Sequence, residues 1–205
     1  MSRRPPSPEQ LRGRFPETVF LAGATAYRSH AAQRGPWWFS NNGGGRFDLS
    51  GPEGTCYTAE AALITLLEAW SGIGVIPRPE LAGRDISEVS VRRDLRLADA
   101  TSNRAIQFGV TSELFTTTDY ALTQQWAQAL RDAGFDGIRY WARHDLRHVH
   151  ACLAVFAASG DRTGTVLEPT DFTVLGTENL LDRPDLWDAL EDETGIVVLD
   201  IPGSL

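Results

Sequence analysis

The chain has 205 residues, enough for one domain with its own apolar core, and its formal net charge is −8. An acidic chain is poorly suited to neutralising nucleic-acid phosphates, so non-specific binding to DNA or RNA is disfavoured. Cys56 and Cys152 stand in apolar runs without a CxxC neighbour, which predicts buried free thiols in a reducing compartment. The basic N-terminal residues precede no apolar run, and no later run is long enough for a membrane span, so we expect a cytoplasmic protein.

The sequence of the N-terminal part predicts a short helix and a strand before a glycine-rich loop. Residues 1–23 form a tail and a short helix, which begins at Ser7. Thr25–His30 is predicted as the first core strand, from which Arg28 projects. The loop Ser40–Gly45 ends in three glycines, which are typical of a mobile segment or of backbone that closely approaches a ligand.

The most informative stretch runs from Gly43 to Trp70. Arg46 follows the glycines, Tyr57 lies in a short apolar strand, and a helix predicted from about Ala59 to Ser71 carries Glu68 among aliphatic neighbours. These three polar side chains stand at the ends of three consecutive elements. A compact strand–turn–strand–helix unit can therefore bring them to one cleft.

The rest of the chain predicts strands around one long amphipathic helix and an acidic tail. The predicted elements are strands between Ile86 and Leu97, a helix at Tyr120–Ala133, strands at Ile138–Arg143, Ala151–Ala158 and Thr165–Val174, a helix at Asn179–Glu193 broken by Pro184, and a last strand at Gly195–Ile201. Short strands with glycine-rich turns and two flanking helices indicate an α+β fold, with a largely antiparallel sheet split around a cleft.

The residue types of the cleft match a dinucleotide such as NAD. Arg28 and Arg46 are candidates for the diphosphate, because a guanidinium fork binds two oxygens at once. Tyr57 can stack on nicotinamide or ribose. Glu68 can stabilise positive charge that develops on the ribose when the bond to nicotinamide breaks. Each side chain also has a structural interpretation: ion pairs for Arg28 and Glu68, a solvated turn for Arg46 and core packing for Tyr57.

Three histidines raise the question of a metal site. His148 and His150 would share one face of a strand, with His144 nearby, but no cysteine or carboxylate cluster joins them at metal-ligand spacing. We therefore predict no metal.

An ordered set of motifs resembles the RES domain over roughly residues 24–156. The matching pieces, in chain order, are Tyr27-Arg28, Gly45-Arg46-Phe47, Gly54-Thr55-Cys56-Tyr57, the helix with Ala62 and Glu68, and Asp136-Gly137-Ile138-Arg139-Tyr140.

The resemblance implies the toxin half of a bacterial toxin–antitoxin pair with an ADP-ribosyltransferase-like fold that degrades NAD. Residues 24–160 would be the RES-like NAD-binding domain, and residues 161–205 an acidic C-terminal extension packed on the same domain. Glu68, Arg46 and Tyr57 would be catalytic, while Arg28, Arg46 and Tyr57 would bind NAD. The implied partner is a helix-turn-helix antitoxin that occludes the cleft; we expect no direct contact with nucleic acid or membrane.

One position departs from the family pattern. Ala142 stands where the family usually has a serine before an arginine, so another hydroxyl, from Ser29 or Ser40, would have to take that role. The alternative is a catalytically inactive RES-like domain that binds a nucleotide or a protein. The acceptor of the ADP-ribosyl group (water, phosphate or protein) stays open. A further hypothesis makes the tail from Asn179 onward a lid over the cleft.

Overall fold

Runs of short strands are separated by helices in the computed structural model, which describes residues 4–70, 72–164 and 170–200. The strands are β1 (Glu17–Phe20), β2 (Thr25–Ala31), β3 (Trp38–Phe39), β4 (Glu53–Ala59), β5 (Val75–Pro77), β6 (Arg84–Val91), β7 (Leu95–Asp99), β8 (Gly137–Trp141), β9 (Ala151–Ala158), β10 (Gly160–Asp161), β11 (Phe172–Asn179) and β12 (Val197–Leu199). The α-helices are α1 (Pro8–Leu11), α2 (Ala62–Trp70), α3 (Arg78–Ala82), α4 (Glu113–Thr116), α5 (Tyr120–Asp132) and α6 (Pro184–Thr194). Segments of 3-10 helix lie at Asn103–Phe108 and Leu180–Asp182.

Eight strands form the central sheet, in the order β1-β7-β8-β9-β4-β2-β6-β11. Neighbours are antiparallel except for the parallel pair β7 and β8. Strand β4 pairs with β9 along its whole length, but with β2 only where Tyr27 faces Ala59. The sheet therefore opens between β2 and β4. The predicted α+β class is confirmed, and the split in the sheet lies at this opening.

Two apolar clusters cover the two faces of the sheet. The larger cluster joins the sheet to α2 and α5 and includes Trp126, Leu130 and Ile64. The smaller cluster on the opposite face includes Trp37 and Cys56. Successive residues of a strand point to opposite faces, and this alternation decides which side chains can reach the opening from the side of α2.

Helices α2 and α6 begin at other residues than predicted, one because of strand pairing and the other because of a proline. The helix expected from Ala59 begins at Ala62, because β4 still pairs with β9 at Ala59. Pro184 was expected to break the acidic helix, but it begins α6. A proline in the first turn costs no hydrogen bond, since the N–H that it lacks has no partner within the helix there.

The described residues from 170 to 200 pack on the central sheet and on α2. Strand β11 forms an edge of the central sheet beside β6, C-terminal to the position predicted for it; residues 165–169 of the predicted strand lie outside the described residues. Helix α6 packs on α2 and buries Leu186 and Leu190. Strand β12 then pairs in parallel with β5, so the predicted last strand exists over Val197–Leu199.

Candidate active site

A pocket of about 240 Å³ lies at the opening between β2 and β4. Its walls come from these strands, β8, β9, the glycine-rich loop, α2, the start of β6 and the start of α5. The lining residues are Ser29, Gly45, Arg46, Tyr57, Thr58, Ala59, Thr65, Glu68, Ala69, Arg84, Tyr120, Tyr140 and Cys152. Pockets that enclose a whole ligand usually measure about 300–1,000 Å³. The pocket therefore suits one part of a large ligand, whose remainder would lie across the open surface.

Three of the four predicted site residues, Arg46, Tyr57 and Glu68, line this pocket. The structure does not bring Arg28 to it. Arg28 neighbours Ser29 on β2 and points to the opposite face, where it donates hydrogen bonds to the carbonyl oxygens of Pro36 (2.7 Å) and Trp38 (2.9 Å). The strand alternation that places Ser29 in the pocket removes Arg28 from it.

The glycine-rich loop positions Arg46. The residue is 8% exposed, and its Nη1 donates to the carbonyl oxygen of Thr117 (2.6 Å). Its guanidinium lies over the ring of Tyr120, with 5.2 Å from the guanidinium carbon to the ring centroid. The hydroxyl of Thr123 donates to the Arg46 carbonyl. Arg46 is thus a fixed cation in the pocket wall and not a solvated turn residue.

Tyr57 fixes the end of the same loop through hydrogen bonds of its hydroxyl. Its hydroxyl accepts a hydrogen bond from the Phe47 N–H (2.8 Å) and donates one to Asp48 Oδ1 (2.8 Å). A Cβ on Gly45 would collide with this hydroxyl and with Asp48 Oδ1, so only glycine fits there. Burial, together with the charge of Asp48, raises the pKa of Tyr57 well above its ordinary value. The hydroxyl therefore stays protonated and holds the loop, while the residue also lines the pocket.

Glu68 is the only carboxylate among the lining residues, all of which belong to the described part of the chain. Its Oε1 accepts a hydrogen bond from the Arg143 N–H (2.9 Å). Burial raises the pKa of Glu68, although this N–H and the charges of Arg46 and Arg143 oppose the rise. No ion pair joins Glu68 to a described arginine, so the expected alternative of a structural salt bridge is not observed. A half-buried carboxylate in a pocket with a raised pKa is typical of a functional group.

The sequence analysis missed Arg84, Tyr120 and Tyr140, which also line the pocket. Strand alternation places Arg84 on the same face as Ile86, a predicted core position, but only the pairing of β6 with β2 brings it to the pocket. Tyr120 carried no signal in the sequence, and Tyr140 stood out only as the last residue of the motif that begins at Asp136, because an aromatic residue at the start of a helix or within a buried strand is usually part of the core.

The two candidate hydroxyls have different surroundings. Ser29 lines the pocket, whereas the Ser40 hydroxyl donates to Asn42 Oδ1 (3.2 Å) and Asp48 Oδ2 (3.4 Å). Ala142 is buried, directly before the Arg143 N–H that binds Glu68. A hydroxyl therefore does reach the pocket, from β2.

The histidines are not gathered around a common centre. His148 has a φ of 51° and stacks on Trp141 with 5.2 Å between ring centroids. Over residues 4–70, 72–164 and 170–200, no group of three or more His, Cys, Asp or Glu side chains is placed to hold a metal ion.

Within the same ranges, no helix has both the length and the apolar character that a membrane span requires.

The chain is similar to known proteins in both sequence and fold. The family model of the RES domain matches residues 25–175. No curated protein matches the chain. Among solved structures, a chain in the crystal structure of the M. tuberculosis MbcT-MbcA toxin–antitoxin complex superposes with a TM-score of 0.62 at 18% identity, covering 82% of this chain and 88% of that chain. At this identity the superposition shows a shared fold, and the family match extends over most of the chain: the protein belongs to the RES domain family.

Proposed function

We propose that this protein is a RES-type toxin that cleaves the bond between nicotinamide and ribose in NAD. The observation that carries the proposal is the half-buried Glu68 carboxylate, which lines one pocket with Arg46 and Tyr57. The membership of the RES domain family supports the same substrate class, because the resemblance implies NAD degradation.

The chemistry needs electrostatic stabilisation more than proton transfer. Nicotinamide leaves with the electron pair of the broken carbon–nitrogen bond, which neutralises its ring, and positive charge develops on the ribose. The ionised Glu68 stabilises that charge and accepts hydrogen bonds from the ribose hydroxyls. Arg46 supplies a fixed cation for the phosphates, and Tyr57 provides an aromatic wall that excludes water. The acceptor of the ADP-ribosyl group is water, phosphate or a protein side chain.

A partner follows from the proposed activity. A cytoplasmic enzyme that consumes NAD harms its own cell unless it is inhibited, and the similar fold in a toxin–antitoxin complex supports such an arrangement. We propose a protein antitoxin with a helix-turn-helix part that covers the pocket. The pocket is small and open to the surface, so a single inserted side chain or helix end would be enough to block it.

The decisive experiment measures nicotinamide released from NAD by the wild-type protein, by Glu68→Gln and by the matched control Glu191→Gln. Glu191 is an exposed glutamate on α6, away from the pocket. We expect wild-type and control activity to agree, and Glu68→Gln to lose about 100-fold or more, as for other groups that stabilise transition-state charge. Full activity in Glu68→Gln would contradict the proposed role of this carboxylate.

A second function, an inactive RES-like domain that binds a nucleotide or a protein, is favoured by one observation: a buried alanine at position 142. In that case the folded wild-type protein binds NAD and releases no nicotinamide. Ala142→Ser would then restore release if the missing hydroxyl is the cause. Turnover by the wild type rejects this second function.

A further inference from the structure

Arg84 is a second cation in the pocket, and its acidic partner is missing among the described residues. It stands at the start of β6, on the same face as Ile86. Its Nε donates to the Ser29 hydroxyl (3.2 Å) and its Nη2 to the Ser29 carbonyl oxygen (3.3 Å). The guanidinium lies over the Trp70 ring, with 5.4 Å between the guanidinium carbon and the ring centroid. The ion pairs within residues 4–70, 72–164 and 170–200 do not include Arg84.

A half-buried cation without an ion-pair partner destabilises the folded protein unless another group compensates it. Burial lowers the pKa of Arg84 and the charge of Arg28 lowers it further, while Glu80 opposes this. The guanidinium nevertheless stays charged across the physiological range. An anionic ligand would supply the missing counter-charge.

The charges of the pocket wall fit an anion. Its charged lining residues are two arginines, Arg46 and Arg84, and one glutamate, Glu68, so the described wall is net positive in a chain of net charge −8. Ser29 adds a hydroxyl beside Arg84. Because the Ser29 Oγ already accepts a hydrogen bond from Arg84, its own O–H is left to donate to a ligand oxygen.

We propose that Arg84 and Ser29 form a phosphoryl-binding subsite within this pocket. The subsite deepens the proposed function, since it rests on NAD as the ligand of the same pocket. The phosphoryl group has two possible sources: the diphosphate of NAD, or a free phosphate ion that accepts the ADP-ribosyl group. Arg84 thereby takes the place of Arg28, one of the two arginines that the sequence favours as partners of the diphosphate. Its stacking on Trp70 and its bonds to Ser29 hold the fork in place before the ligand binds.

The test measures binding, which requires no turnover. ADP, inorganic phosphate and uncharged adenosine are titrated into the wild-type protein, Arg84→Gln, Arg84→Lys and the control Arg34→Gln, with affinity read from calorimetry or from the rise in unfolding temperature. Arg34 is a matched control because it also lies over a tryptophan, Trp38 (5.5 Å), outside the pocket lining.

We expect Arg84→Gln to weaken the binding of ADP or phosphate by about tenfold to 100-fold, as for hydrogen bonds between charged groups. Arg84→Lys keeps the charge but not the fork and should fall between wild type and Arg84→Gln. Adenosine binding and the Arg34→Gln control should not change. Weaker ADP binding alone assigns the subsite to the diphosphate of NAD, and weaker phosphate binding alone assigns it to the acceptor.

Two results would overturn the subsite. One is a wild-type protein that binds neither ADP nor phosphate. The other is an affinity for both that is the same in folded Arg84→Gln as in the wild type or, where Arg84→Gln does not fold, the same in Arg84→Lys. This binding test is independent of the turnover test of the proposed function, because a protein that releases no nicotinamide can still show Arg84-dependent binding. Conversely, Glu68-dependent turnover with unchanged anion binding in the Arg84 variants would retain the activity and reject the subsite.

Discussion

At the scale of single residues, Glu68 makes the folded protein less stable at neutral pH. Burial raises its pKa above the ordinary value of 4.5, so the folded protein holds this proton more tightly than the unfolded chain does. The free energy of unfolding therefore decreases as the pH rises from about 4.5 through the raised pKa, and the full cost is present above it.

We accordingly predict that Glu68→Gln unfolds at a higher temperature than the wild type near pH 8, although we expect it to lose the proposed activity. The difference should disappear well below about pH 4.5, where the glutamate is neutral in both states. Thermal unfolding at a series of pH values measures it, with Glu191→Gln as a control that lacks this pH dependence. A Glu68→Gln variant less stable than the wild type at pH 8 would show that the carboxylate is not destabilised by burial.

Tyr57 is predicted to matter for the loop as much as for the ligand. Tyr57→Phe keeps the ring but leaves the Phe47 N–H without its acceptor and Asp48 Oδ1 without the hydroxyl that donates to it. We expect the free energy of unfolding in urea to decrease by about 1–3 kcal/mol. Because both changes affect the same hydrogen bond, the double variant with Asp48→Asn should lose less than the sum of the single changes. Additive losses would argue against the Tyr57–Asp48 bond.

At the scale of elements, the first turns of α5 support the glycine-rich loop. The side-chain amide of Gln124 donates to the carbonyl oxygens of Gly43 (3.0 Å) and Gly45 (2.9 Å). The Thr123 hydroxyl donates to the Arg46 carbonyl, one residue further along. The loop that carries Arg46 is therefore held by a helix more than seventy residues away in sequence, so changes in α5 should be detected at the pocket.

We predict that Gln124→Ala weakens NAD binding about threefold to tenfold, because the loop loses two net hydrogen bonds of modest strength. The neighbouring Gln125 is exposed on the same helix, so Gln125→Ala is the matched control and should bind NAD like the wild type. The affinity for NAD is measured by calorimetry on both variants. Equal affinities would mean that the loop keeps its conformation without Gln124.

At the scale of the whole molecule, the C-terminal segment is part of the core. Helix α6 packs on α2, and none of its described residues, nor any other from 170–200, lines the pocket. These contacts do not support the hypothesis that the tail is a lid. Deleting the chain from Asn179 onward would remove the buried side chains of Leu180, Leu186 and Leu190 from the larger cluster.

We predict that this truncation lowers stability and yields little folded protein, and does not raise activity. A milder probe is Leu190→Ala, which should cost about 2–5 kcal/mol in urea unfolding, since Leu190 is 1% exposed. Leu146→Ala is the control, because Leu146 is 91% exposed and its loss should change stability by less than about 0.5 kcal/mol. A folded truncation with raised NAD turnover would restore the lid hypothesis.

Most of the longer elements and the cluster around Gly43–Trp70 could be predicted from the sequence alone. Arg46, Tyr57 and Glu68 lie within twenty-three residues of each other, and the short connections between their elements keep them together. Periodicity identified α5 and β9, because a helical stripe and a continuous apolar run are both local signals. The boundaries were less certain where a pairing partner decides them, as at Ala59.

Tertiary structure alone decided which distant residues complete the pocket. A lone strand does not reveal which of its faces meets α2, so Arg28 and its neighbour Ser29 could not be told apart before the pairing of β2 with β6 was known. Arg84 reaches the pocket only because β6 lies beside β2, fifty-five residues away in sequence from Ser29. Local propensity and spacing thus determined the elements and the central cluster, whereas long-range strand pairing determined the faces and the neighbours. The physical reason is that a strand acquires its buried face only from the strands and helices that pack against it.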